Sequence, residues 1–228
     1  MHYFKGLYLG RILNSGFVIA SGSASFIIDP TVWVFEGEWN YREDLLEKII
    51  EYLEKMPRPL HVFVTHEHKD HADIKVLEIL QRHFSARIYV PAGIKNVILK
   101  ASLFLTSLHP VNIGDTIKAG SLKIKALKGG DTANALSYLV EAWKKTIYFA
   151  GDQFSEWQEI TVDYIVLPLW FIIEMHDNFE KALEKVKCKK IILSHFNSKY
   201  QETAIEKVKK ELGEKIIVLN EFSDLIML

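Results

Sequence analysis

The stretch that most constrains this chain is Leu60-His61-Val62-Phe63-Val64, an apolar run that stops abruptly at Thr65-His66-Glu67-His68-Lys69-Asp70-His71. A short apolar run ending in polar residues reads as a buried strand that delivers a loop. The loop carries three imidazoles and a carboxylate, His66, His68, Asp70 and His71. These are the ligand types that zinc and similar divalent ions take. His66 and His68, two apart on extended backbone, can converge on one ion. Asp70 and His71, where the chain turns into a helix, can face a second. Two ions roughly 3.5–4 Å apart would clamp a water and polarise a scissile group. The fold must therefore hold this loop on a rigid strand end.

The chain has 228 residues, 49% of them hydrophobic, enough to bury a substantial core as one domain spanning 1–228. A net charge of −1 and a pI near 6.8 give no basic field to recruit nucleic acid. The expected partner is a small-molecule substrate, with no nucleic acid, no membrane, and the oligomeric state left open. Cys188 is the single cysteine, so no internal disulfide forms; it reads as a linker thiol beside a strand. The N-terminus lacks a signal peptide's apolar core, and no apolar run is long enough to span a bilayer, which predicts a soluble, cytoplasmic protein.

Two β-rich stretches, each followed by helical material, predict two similar halves. In the first, Ile12–Ala20 and Ser25–Asp29 read as strands, residues 44–56 and 72–84 as helices with Pro57 ending the former, and Ala86–Val90 as a further strand. In the second, Leu136–Trp143 and Thr146–Ala150 form a hairpin around Lys144-Lys145, and its second strand ends in Gly151-Asp152. Tyr164–Leu169 and Ile191–Leu193 are buried strands, the latter ending at Ser194-His195, with helices over 177–187 and 203–212. Three separate strands thus end in ligand-type side chains, at His66, Asp152 and His195.

His66-x-His68-x-Asp70-His71, then Gly151-Asp152 at a strand end and a late His195, resembles the metallo-β-lactamase-fold hydrolases. The segments Phe26–Pro30, Ser137–Glu141 and Ile147–Asp152 are similar to its compact branch, which includes ascorbate-6-phosphate lactonases and phospholipase-D-like members. The resemblance covers nearly the whole chain in order. It implies an α/β fold (α+β by some schemes), a four-layer αβ/βα sandwich of two mixed sheets flanked by helices. It implies His66 and His68 on a first metal with a third histidine, Asp70, His71 and His195 on a second, and Asp152 bridging. The implied activity is a metal-dependent hydrolase that directs a metal-activated water at an ester, lactone or phosphodiester, with Asp70 orienting or deprotonating that water. Asp29 would hold a histidine ligand from behind. Zinc is the implied cofactor, one or two ions, with manganese or iron as alternatives.

One ligand is missing. The third first-site histidine belongs shortly before Leu136-Ser137-Tyr138, where the chain reads Leu127-Lys128-Gly129-Gly130-Asp131-Thr132-Ala133-Asn134. Asp131 is the candidate replacement, since a carboxylate can serve zinc and favours harder ions; the alternative is that it shapes a Gly-Gly-Asp turn. His176 can instead reach the site as a ligand or substrate contact, and His109 is a weaker candidate. His61 and His83 read as packing or surface residues. Trp33, Phe35, Trp39 and Tyr41 can form a lid or pocket wall, and Trp170 and Phe171 can face the same pocket. The missing histidine also leaves open a degenerate, non-catalytic metal- or ligand-binding member of the same fold.

Overall fold

The computed structural model describes residues 4–22, 24–153, 159–197 and 201–228. The first half runs β1 (Phe4–Arg11), β2 (Phe17–Gly22), β3 (Ala24–Ile28), β4 (Trp33–Phe35), β5 (Trp39–Tyr41), α1 (Leu46–Glu54), β6 (Leu60–Phe63), α2 (Ile74–Phe84), β7 (Arg87–Pro91), α3 (Lys95–Ala101) and β8 (His109–Val111). The second runs β9 (Thr116–Ala119), β10 (Leu122–Lys128), β11 (Leu136–Ala142), β12 (Lys145–Phe149), β13 (Ile160–Pro168), α4 (Leu169–Glu174), α5 (His176–Lys185), β14 (Val186–Ser194), α6 (Glu202–Leu212), β15 (Ile216–Ile217) and β16 (Ile226–Met227).

Two seven-stranded mixed sheets result, ordered β16-β1-β2-β3-β6-β7-β8 and β15-β14-β13-β12-β11-β10-β9, beside a small β4–β5 hairpin. Side chains alternate across each strand, and the alternation sorts them into layers. Phe17, Ile19, Phe26 and Ile28 face Ile124, Tyr138, Val140 and Phe149 between the sheets. Val18, Ala20, Ile27 and Val62 face outward onto Ile49, Leu53, Leu77 and Leu80 of α1 and α2. Ile165, Leu167, Ile191 and Leu193 do the same under Phe171, Phe179, Ile205 and Val208 of α4, α5 and α6. The layers are therefore helix, sheet, sheet, helix, as the four-layer expectation has it.

Three local departures have physical causes. Ile12–Gly16, expected as strand, is a turn, closed by Ile12 N–H to Gly16 O at 2.8 Å, and the strand before it is β1. Gly6 and Gly10 interrupt the apolar pattern of β1; Gly10 is needed because a Cβ there would stand 2.1 Å from Tyr52 Oη. The C-terminal β16 leaves the second half and pairs with β1 in the first sheet, so the halves interlock. Cys188 lies within β14 rather than in a linker, and burial raises its thiol pKa, with Lys215 opposing.

The parallel strands set the site's position. β3, β6, β7 and β8 run parallel in one sheet, as do β12, β13, β14 and β15 in the other. Asp29 follows β3, Thr65 and His66 follow β6, Asp152 follows β12, and His195 follows β14. Carboxyl ends of parallel strands are where α/β folds gather their sites. Among the described residues, no helix is long and apolar enough to cross a membrane.

Candidate metal centre

Seven predicted ligand-type residues come together in two groups, His66, His68, Asp131 and Asp152 in one, and Asp70, His71 and His195 in the other; within each group the ligand atoms lie within 4.8 Å of one another. Asp152 spans both. Its Oδ2 stands 3.7 Å from His66 Nε2, while Oδ1 stands 3.0 Å from His71 Nε2 and 2.8 Å from His195 Nε2. Gly151 before it has φ +72°, a left-handed conformation that a side chain would strain, and this turns the carboxylate off the end of β12.

Asp131 lies beside His66 and His68. Its Oδ2 is 3.3 Å from His66 Nε2 and 3.1 Å from His68 Nδ1. The loop that carries it is closed at both ends, by Gly129 N–H to Ala135 O at 2.8 Å and Gly130 N–H to Gln153 O at 3.1 Å. A Cβ on Gly129 would stand 2.7 Å from the Ala135 carbonyl carbon, so this loop closes only over glycine. Glu67 accepts a hydrogen bond from the Thr132 hydroxyl at 3.0 Å, fastening the loop to the histidine loop.

The donor chemistry fits cations. His66 Nε2 faces His68 Nδ1 at 3.0 Å, and His71 Nε2 faces His195 Nε2 at 3.0 Å. Two imidazole lone pairs this close repel unless a proton or a cation lies between them. Asp131 Oδ2 and Asp152 Oδ1 are buried among these imidazole nitrogens. Ligand atoms about 2.1 Å from one tetrahedral ion stand roughly 3.4 Å from each other, so the observed separations suit shared ions.

Thr65 and Asp29 set the ring orientations. Asp29 Oδ1 accepts Thr65 N–H at 2.7 Å, and Oδ2 accepts the Thr65 hydroxyl at 2.7 Å. With its proton spent on Asp29, Thr65 Oγ1 accepts from His66 Nδ1 at 2.9 Å, while His71 Nδ1 lies 2.8 Å from Asp29 Oδ2. Both rings then carry a proton on Nδ1 and turn Nε2 into the site. His195 Nδ1 lies 3.0 Å from Ser194 Oγ, and its Nε2 likewise points inward. Thr65, one residue before the motif, carries no ligand signal in the sequence; only its place at the strand end suggests it.

Charge is distributed unevenly. Burial, then the neighbouring His71 charge, pushes His66 down to about 2, so this ring stays neutral. Burial also acts against charge on His71, but the Asp152 and Asp29 carboxylates together outweigh it and raise its pKa well above the ordinary value. Burial opposes ionisation of Asp152, yet His71 and His195 hold its pKa well below the usual carboxylate range. Burial and Asp152 raise that of Asp131.

The other candidates lie as follows. His109 packs against the Tyr89 ring at 5.1 Å, outside both groups. His61 is buried in β6 with Nδ1 3.2 Å from Tyr89 Oη, and His83 is exposed beside Glu54. His176 opens α5, but its side chain lies outside the described residues. The cap of α2 is Asp73: its Oδ1 accepts Val76 N–H at 3.3 Å and its Oδ2 accepts Val32 N–H at 3.0 Å. Trp33, Phe35, Trp39 and Tyr41 form the β4–β5 hairpin, with Phe35 and Trp39 exposed and Lys69 Nζ 3.8 Å above the Trp33 ring. Phe35, Asn14 and His195 line one small cleft, so the hairpin borders the second group.

Residues 26–196 match the family described as the Beta-lactamase superfamily domain. A UPF0173 metal-dependent hydrolase of Pyrobaculum islandicum is 24% identical over 196 residues, covering 81% of this chain and 82% of its own. Among solved structures, the metallo hydrolase Igni18 of Ignicoccus hospitalis superposes with a TM-score of 0.68 at 20% identity, covering 98% of this chain and 99% of its own. The metallo-β-lactamase fold protein YhfI of Bacillus subtilis gives 0.67 at 15% identity, covering 97% and 99%. At these identities the structural likeness is one of fold.

Proposed function

This chain belongs to the Beta-lactamase superfamily domain family, and we propose that within it the chain is a metal-dependent hydrolase acting on a small-molecule ester, lactone or phosphodiester. The observation that carries the reading is Asp152. One largely buried carboxylate divides its two oxygens between two histidine groups, with Oδ1 within 3.0 Å of two imidazole nitrogens. Such an arrangement is costly without counter-charge and is the donor geometry of a two-ion centre.

His66, His68 and Asp131 would hold one ion, Asp70, His71 and His195 the other, with Asp152 shared. A mixed imidazole and carboxylate set suits zinc, and also manganese or iron. Bound there, the ions would supply Lewis acidity and a water acidic enough to attack near neutral pH. Asp70 Oδ2 lies 3.7 Å from His71 Nε2 and 4.0 Å from His195 Nε2 and would orient that water and take its proton. Asp29 keeps His71 turned inward. The β4–β5 aromatics would wall the substrate side.

The test is metal analysis after offering zinc, manganese and iron, with turnover of nitrophenyl esters, simple lactones and bis(nitrophenyl) phosphate. Metal uptake, together with hydrolysis that chelator abolishes and Asp70→Asn impairs, is expected. Failure to take up any of the three metals, or hydrolysis indifferent to chelator, would overturn the reading; uptake of metal without turnover would favour the non-catalytic binding alternative.

A further inference from the structure

We infer that the β1–β2 turn, Arg11 to Gly16, is the positioning device of the Asp70–His71–His195 group, joining the chain stretches that carry it. The inference rests on the metal-centre reading above. His71 is already fixed by Asp29 and Thr65; Asp70 and His195 lie 125 residues apart and need a common anchor.

The turn supplies it through consecutive residues. Asn14 O accepts the N–H of His195 at 3.1 Å. Asn14 Nδ2 donates to Asp70 Oδ2 at 3.5 Å. The Ser15 hydroxyl donates to the Asp70 carbonyl and lies 3.3 Å from the Asp29 carbonyl oxygen. Arg11 Nη2 donates to the carbonyl of Phe196, the residue after His195, and the guanidinium lies 3.6 Å over the Phe196 ring. Arg11 Nη1 reaches Leu219 O at 3.2 Å and Glu221 Oε1 at 3.2 Å.

Two further observations mark the turn as more than a connection. Asn14 and His195, joined by one hydrogen bond, both adopt left-handed backbone, with φ of +44° and +52°. Strain of this kind persists where the surroundings impose it and gathers at functional sites. Arg11 is fully buried. Burying a guanidinium is unfavourable unless its donors are satisfied; here Nη1 and Nη2 are taken up by the carbonyls of Leu219 and Phe196 and by Glu221, while Nε is buried without a partner. Burial draws its pKa down to about 10, against Glu221, which leaves it cationic at neutral pH. Among the described residues, none of the turn's polar contacts runs to His66, His68 or Asp131.

The test uses cobalt(II) titration of the metal-free full chain, followed by visible absorption, alongside amide hydrogen exchange without metal. Asn14→Gly removes only the side-chain amide, because glycine accepts the positive φ and keeps the carbonyl. Its expected result is one cobalt bound as in wild type and the other about tenfold more weakly, with a changed absorption band for the weaker ion. Arg11→Met is expected to weaken the same ion and to speed exchange at the His195 and Phe196 amides about tenfold. Equal weakening of both ions, or no change in either ion and in exchange, would overturn the inference. Should Arg11→Met fail to fold, Asn14→Gly decides alone. Should wild type bind no cobalt, the metal-centre reading falls, and exchange at His195 and Phe196 decides the positioning role by itself.

Discussion

The two donor groups share one loop and one carboxylate, yet are built differently. The inner group is buried at Asp70 and His71 and partly buried at His195, and each member is held by another side chain or carbonyl: Asn14 and Ser15 on Asp70, Asp29 on His71, Asn14 and Ser194 on His195. The outer group is more open, although His66 itself is buried. The His68 side chain is 51% exposed, and Asp131 stands on a short Gly-Gly loop rather than on the core. The contrast shows where a ligand can change type. A braced, buried position tolerates only one shape; a loop at the rim can deliver a carboxylate in place of an imidazole by adjusting its closure.

The sharpest way to break the comparison is to remove what the groups share. Asp152→Ala should release both ions and lower hydrolysis by about a thousandfold or more, read by metal analysis and initial rates. Retention of either ion at wild-type affinity would show that the groups are independent. Next in size, Asp131→Ala should weaken the outer ion by about a hundredfold while sparing the inner one, measured by competition with a chelator. Asp29→Asn should do the reverse, weakening the inner ion about tenfold to a hundredfold, because the carboxylate behind His71 sets that ring's tautomer and basicity.

Acidity should separate the groups further. His71 has a raised pKa in the metal-free fold, so its contribution to stability is fully present below the unfolded histidine value of about 6.5 and is lost as pH rises through the raised value. A metal must displace that proton, so inner-ion affinity should climb with pH by up to about tenfold per unit until His71 is deprotonated. His66 shows the opposite shift. Held neutral down to about 2, it favours the fold above the unfolded value and loses that contribution progressively as pH falls from about 6.5 towards 2. It therefore offers no proton for an outer metal to displace near neutrality. Calorimetry in buffers of different ionisation enthalpy should find proton release with the inner ion; equal release by both would contradict the assignment. The smallest effect is expected at the hairpin, where Phe35→Ala should raise KM about threefold and leave kcat and metal content unchanged.

Much of this was legible in the sequence where chemistry and strand ends coincide. The apolar run before Thr65, the Gly151-Asp152 strand end and the Ser194-His195 strand end each point to one edge. The missing histidine and the placement of Asp131 near the gap were visible too. What brings Asp131 into reach, a loop closed over Gly129, was not. Nor were the residues that act through long-range pairing. Arg11 meets Phe196 across 185 positions and Leu219 across 208, and a lone arginine at the end of a glycine-interrupted strand carries no periodic signal. The Leu13-Asn14-Ser15-Gly16 stretch does suggest a turn near the site edge, but not that Asn14 meets both Asp70 and His195. Pattern shows what a strand end offers, while packing decides what holds it.

The most direct measurement is anomalous diffraction from crystals grown with zinc. Two peaks are predicted, one on each side of Asp152. The outer would lie within about 2.0–2.2 Å of His66 Nε2, His68 Nδ1 and an Asp131 oxygen, and the inner at similar distances from His71 Nε2 and His195 Nε2. A single peak, or two peaks neither of which touches Asp152, would contradict the shared-carboxylate centre.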